Sequence, residues 1–79
     1  MYEQRFITPG GEKGVRYADA VEVTPEGKVV AIYQIGRVNQ NGLVVPREST
    51  AIADILQVSD GVPVTFLPYN SDIGPIIFD

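Results

Sequence analysis

Arg16-Tyr17-Ala18-Asp19-Ala20-Val21-Glu22-Val23-Thr24, then Pro25-Glu26-Gly27, then Lys28-Val29-Val30-Ala31-Ile32-Tyr33-Gln34-Ile35-Gly36-Arg37 is the stretch that decides the fold. Two runs rich in β-formers flank a proline–glycine punctuation, which predicts a hairpin. Both runs are apolar at odd and even positions, through Ala18, Ala20, Val21 and Val23 on one and Val29 to Ile32 on the other. Such strands are expected to be central, covered on each face. Away from the turn, Arg16, Asp19, Gln34 and Arg37 gather at one end. A carboxylate buried at the end of an apolar sheet is costly unless a partner or a metal compensates it. This end is therefore the first candidate for a site.

Strict alternation puts Tyr17, Asp19, Val21 and Val23 on one face of the first strand, and Val30, Ile32, Gln34 and Gly36 on one face of the second. A four-residue turn sets Asp19 opposite Ile32, with Gln34 diagonal to it at about 7–8 Å. A three-residue turn sets Asp19 opposite Tyr33. Both registers stay open. The plainest role for Asp19 is to accept backbone N–H bonds or to pair with Arg16 or Arg37, and Gly36 can serve close helix packing or a bulge.

Outward from the hairpin, residues 1–14 read as a loop-rich opening segment with one apolar stretch, Phe6-Ile7, before Thr8-Pro9-Gly10-Gly11. Val38-Asn39-Gln40-Asn41-Gly42 reads as a tight turn with Gly42 at positive φ. Leu43-Val44-Val45 fits a brief third strand pairing back on the second. Pro46 suits a first helical turn. Ile52, Ile55 and Leu56 then mark one face of a helix over Arg47 to Ser59, with Arg47, Glu48, Asp54 and Gln57 at other angles. Asp60-Gly61 closes that helix. Val62 to Leu67 is a last strand, with Pro63 at an unpaired position, and Ile76-Ile77-Phe78 gives the tail enough apolar mass to dock. The expected fold is a small α+β (α/β-like) domain: a mixed sheet of three to four strands with one principal helix packed on it.

With 79 residues the chain supports one small domain, residues 1–79. It contains no cysteine and no histidine, which removes disulfides, thiolate metal sites and imidazole acid–base chemistry. No apolar run approaches the roughly 20 residues of a membrane-spanning helix. Ten acids against six bases give a net charge of −4, which disfavours gripping nucleic acid through long-range attraction alone.

The motifs Arg16-Tyr17-Ala18-Asp19, Tyr33-Gln34-Ile35-Gly36-Arg37, Gly42, Val45-Pro46-Arg47-Glu48, Ala53-Asp54-Ile55 and Phe66-Leu67-Pro68-Tyr69-Asn70, in that order, resemble the C-terminal nuclease domains of bacterial polymorphic toxins. Those domains belong to contact-dependent growth inhibition and Rhs-type systems, and the resemblance covers roughly residues 14 to 70. It implies a restriction-endonuclease-like core, in which a strand aspartate and a neighbouring strand's acid and lysine surround the scissile phosphate. Here Gln34 replaces that acid, no lysine follows it, and Gln40 stands where relatives often carry a lysine in the glycine turn.

What the resemblance implies is an antibacterial nuclease, delivered as a secreted or cell-surface effector and acting in the target-cell cytoplasm, with this domain trimmed from a larger protein. Asp19, Gln34 and Arg37 are then the catalytic group, and Arg16, Arg47, Glu48 and Gln40 bind substrate. A two-metal mechanism is weakened, leaving a single Mg²⁺ at Asp19 or no metal. Metal-free RNA cleavage needs only a base for the 2′-OH, Asp19 or Glu48, and groups that hold the phosphate, Arg16, Arg37 and Gln34. The implied substrate is RNA, tRNA in particular, and the implied partner is a cognate immunity protein. A host translation factor such as elongation factor Tu could present the RNA to so acidic a chain. A Mg²⁺-dependent DNase and a non-catalytic interaction module are the alternatives.

Overall fold

The computed structural model describes residues 2–79. It is a small α+β domain in which one helix packs on a mixed five-stranded sheet. The elements run β1 (Tyr2–Ile7), β2 (Val15–Val23), β3 (Val29–Gly36), α1 (Pro46–Leu56), β4 (Val64–Pro68) and β5 (Ile76–Phe78). The strands lie in chain order across the sheet. All neighbours are antiparallel except β3 and β4, which are parallel and joined through α1. The sheet thus has five strands rather than three or four. The segment expected to be loop-rich supplies β1, and the tail adds β5 at the opposite edge.

The hairpin is as expected, closed by Thr24–Lys28 with Gly27 at φ 88° and Thr24 N–H donating to Lys28 O at 2.8 Å. Strict alternation fails on both of its strands. In β2, Ala18 pairs with Gln4 but Val21 pairs with Tyr2, so one extra residue sits in the Asp19–Ala20 step. That bulge turns both Ala18 and Val21, three residues apart, into the core, each fully buried. A second bulge sets Val23 opposite Val29 and leaves Val30 about half exposed. The register is neither of the two expected: Ala20 faces Tyr33 and Val21 faces Ile32, so continuing one step places Asp19 against Gln34.

Cross-strand partners share a face, so Val21, Ile32, Val64 and Phe66 look toward α1, where Ile52 and Ile55 complete the core. The helix ends three residues before Ser59, and the chain turns through Asp60 (φ 60°) and Gly61 (φ 86°). Leu43–Val45 forms only an isolated bridge, Val38 to Val44, with Gly42 at φ 77° as expected. The opposite face of the sheet carries no helix, and Tyr17, Ile35 and Ile77 on it are more than half exposed. The expectation of cover on both sides is corrected accordingly: one helix of 11 residues covers one face. Among the described residues no helix is long and apolar enough to cross a membrane.

Phe66, fully buried at the centre of β4, is the largest side chain in this core. Truncating such a ring costs about 3–5 kcal/mol, against a total of roughly 0.05–0.15 kcal/mol per residue. Phe66→Ala is therefore expected to lower the melting temperature by more than about 12 °C, read by circular dichroism, and Phe66→Leu by less than half as much.

Candidate functional site

The site begins where β2 and β3 part. Their pairing runs from Val23 and Val29 only as far as Ala20 and Tyr33. Beyond that, β2 stays with β1 down to Val15, and β3 stays with β4 up to Gly36. In the mouth of this fork two side chains replace the ladder. Asp19 N–H donates to Gln34 Oε1 at 2.8 Å, and Ile35 N–H donates to Asp19 Oδ2 at 2.8 Å. Asp19 is exposed and Gln34 half-buried, so the carboxylate expected to be buried is open to solvent. One oxygen of Asp19 and the amide nitrogen of Gln34 have no partner among the described residues.

Gly36 ends β3 on the face that looks toward α1, and it is buried. A Cβ there would overlap the Glu48 carboxylate and lie 2.9 Å from the Phe66 ring. Only glycine lets the Glu48 side chain, from the first turn of α1, lie directly over the strand end. The close-packing role read for Gly36 is met, and it brings a second carboxylate to this end of the sheet. Arg37, the next residue, is exposed and makes no side-chain hydrogen bond or ion pair among the described residues.

Arg16 and Asp54 depart most from expectation. Asp54, expected at an angle away from the apolar face of the helix, is 4% exposed. Arg16 Nε donates to its Oδ2 at 2.9 Å, Lys13 N–H donates to the same oxygen at 3.3 Å, and Glu12 N–H to Oδ1 at 3.1 Å. Arg16 is therefore held by the helix rather than by Asp19, and its Nε serves structure. Gly11 lies against this carboxylate so closely that a Cβ there would overlap it. The Thr8–Gly14 loop is closed further by Thr8 N–H on Gly14 O at 2.9 Å. Asp54 falls three residues after Ala51, on the border of the apolar arc, which is the one sequence signal that could have placed it inside.

Three clefts run in a row past these residues, of about 270, 320 and 720 Å³. The first is lined by Lys13, Arg16 and Arg47 with Glu12. The second shares Arg47 with it and adds Arg37 and Glu48. The third shares Arg37 with the second and continues to Gln40 and Asn70. Four of the six cations in the chain (Lys13, Arg16, Arg37, Arg47) line the groove that these adjoining clefts make, with Glu12 and Glu48 of its ten acids, and Arg16 is paired to Asp54 behind it. Of the residues read from the sequence, Arg16, Arg37, Gln40, Arg47 and Glu48 line the groove. Asp19 and Gln34 bridge the fork beside Ile35, which lines the second cleft. Asn70 closes the last of the sequence motifs. Its side chain accepts from Val38 N–H at 3.0 Å and donates to Val38 O at 2.9 Å, acting as a strand partner where β3 has run out.

The donor set does not fit a carboxylate cage for Mg²⁺. Among the described residues no three acidic groups gather, one Asp19 oxygen is taken by Ile35 N–H, and the Gln34 carbonyl oxygen is taken by Asp19 N–H. Magnesium is ordinarily held by one or two carboxylates with waters and substrate phosphates, and the remaining Asp19 oxygen is the one ligand the fork would offer it.

Burial alone pushes the Asp54 carboxyl up, but the Arg16 guanidinium and the two backbone N–H groups outweigh it and hold its pKa below the ordinary 3.8. Its contribution is complete above that value and is lost as pH falls through the lower folded one. Asp54→Asn should melt below wild type at pH 7, with faster hydrogen exchange at Glu12 and Lys13. The gap between the two melting temperatures should narrow as pH drops below about 4. A gap independent of pH would contradict this assignment.

Compared with known proteins, the chain matches no family model, no curated protein and no solved structure.

Proposed function

We propose that this domain is a nuclease of the polymorphic-toxin type, acting on RNA, with the groove as its backbone-binding surface. One observation carries the reading: an acidic chain lines a groove of adjoining clefts with four of its six cations, of which Lys13, Arg37 and Arg47 have no acidic partner among the described residues, next to a strand fork holding a carboxylate. Phosphate contacts of this kind supply most of the affinity of nucleic-acid binding, and local clustering offsets the unfavourable net charge. The restriction-endonuclease-like core belongs to the same proposal, supported by the fork between β2 and β3 with Asp19 and Gln34 in its mouth.

The chemistry follows from the free groups. Glu48, which lies over Gly36 and shares its cleft with Arg37 and Arg47, takes the proton of a ribose 2′-OH in this reading. The exposed, unpaired oxygen of Asp19 is the other base. The 2′-oxygen attacks the adjacent phosphorus, a 2′,3′-cyclic phosphate forms, and the bond to the 5′-oxygen breaks as that oxygen takes a proton from water. Arg37 stabilises the charge on the phosphoryl oxygens, and its guanidinium stays protonated throughout. No step requires a metal. tRNA is the proposed substrate, presented by a translation factor such as elongation factor Tu. A cognate immunity protein is the proposed partner, competing with RNA for the cationic groove.

A second reading rests on a specific observation. Asp19 and Gln34 spend hydrogen bonds on each other's strands, as a non-catalytic module would require. The exposure of Asp19 and the open clefts beside it favour the enzyme.

The deciding experiment incubates the purified domain with total RNA and with plasmid, each with and without EDTA. RNA should be cut to 2′,3′-cyclic phosphate ends whether or not EDTA is present. Arg37→Ala should slow cleavage by about 10²–10³-fold, and Glu48→Gln or Asp19→Asn, whichever removes the base, by about 10²–10⁴-fold, with unchanged circular dichroism. Plasmid cleavage abolished by EDTA would establish the DNase instead, and a domain inert toward both nucleic acids, with elongation factor Tu added as well as without it, would favour the module.

A further inference from the structure

The largest cleft, about 720 Å³, falls within the range of small-molecule sites, roughly 300–1,000 Å³. It lies between the Val38–Val44 turn and the loop after β4. Its lining contains one ionisable group, Arg37, and no carboxylate, although acids outnumber bases in the chain.

The polar side chains of this cleft divide into two kinds. Some are committed to building it. Asn39 Oδ1 accepts from Asn41 N–H at 2.9 Å and from Leu43 N–H at 3.1 Å, Asn70 is spent at both ends on Val38, and Ser71 Oγ accepts from Ile73 N–H at 3.3 Å. Others have no partner among the described residues: the Gln40 and Asn41 amides and the Arg37 guanidinium. The fixed group holds the shape, and the free group is available to a ligand. Val45 and the half-exposed Ile73 supply an apolar wall.

We infer that this cleft binds one unpaired nucleobase of the RNA, read by the Gln40 and Asn41 amides, with Arg37 holding the neighbouring phosphate. The inference rests on the nuclease reading for the nature of the polymer and adds the subsite. Neutral amides each offer a donor and an acceptor, the complement of a base edge. Val45 and Ile73 give a flat ring an apolar contact. No carboxylate lines the cleft itself, and Arg37 stands at the junction with the cleft that contains Glu48. The base must be unpaired, because an edge engaged in a duplex is not free for amides to read. A site of this kind would confer nucleotide preference at one position beside the cleaved bond.

The test uses the ¹⁵N-labelled domain, titrated separately with inorganic phosphate and with the four nucleoside 5′-monophosphates. At least one nucleotide should shift the backbone amides of Asn39 to Leu43 and Ile73 together with the side-chain NH₂ groups of Gln40 and Asn41. Phosphate alone should shift only the surroundings of Arg37. The double variant Gln40→Ala/Asn41→Ala should weaken that nucleotide at least about tenfold and leave the phosphate titration unchanged. Four nucleotides that shift nothing beyond the effect of phosphate would overturn the proposal, as would a double variant that binds like wild type. Because no cleavage is needed, a domain that binds a base but cuts no RNA even with elongation factor Tu added refutes the nuclease reading alone. A domain that cuts RNA but shows no base-dependent shifts refutes the subsite alone.

Discussion

β3 is paired on both sides, antiparallel to β2 and parallel to β4, and the rest of the molecule follows from that double commitment. A parallel partner cannot be reached by a tight turn; the chain has to cross a face of the sheet first. Here the crossing is made by α1, so the helix start comes to lie beside the end of β3. Because β3 must keep pairing with β4 after it has left β2, a fork opens at Asp19 and Gln34. Backbone N–H groups exposed there need partners, and the two side chains provide them. The end of the sheet is therefore polar by necessity, and the same necessity leaves spare polar atoms in the open.

Glycine 36 ties that geometry to chemistry. The helix start and the strand end approach so closely that no side chain fits between them other than Glu48 itself. The helix thereby brings the Glu48 carboxylate to the end of β3, two residues beyond Gln34. Arg37 and Arg47 line the same cleft as Glu48, so two cations and one carboxylate share it. On the far side of α1, Asp54 secures the Thr8–Gly14 loop and Arg16, so Lys13 and Arg16 extend the same groove rather than dispersing over the surface.

How much was legible in the sequence varies with the range of the interaction. The hairpin, the Asn–Gly turn, the start of the helix and its Ile52–Ile55 face rest on local signals and are present. β1 was missed because Tyr2–Ile7 alternates only weakly and sits beside a Pro–Gly–Gly cluster that reads as loop. The bulge at Asp19–Ala20 left no mark at all: inserting one residue changes which side chains are buried without changing the composition of the strand. The Asp54–Arg16 pair spans 38 residues, and a buried aspartate looks, in sequence, like a solvated one.

The sequence by itself determined the class of fold, the exclusion of thiol and imidazole chemistry, and the set of residues from which a site could be built. Those depend on side-chain chemistry and on periodicities of two and 3.6, which act over a few neighbours. Only the tertiary structure decided the register that sets Asp19 against Gln34, the capture of Arg16 by Asp54, the placing of Glu48 over Gly36, and the gathering of four cations into one groove. Each of these joins residues distant in the chain through strand pairing and packing.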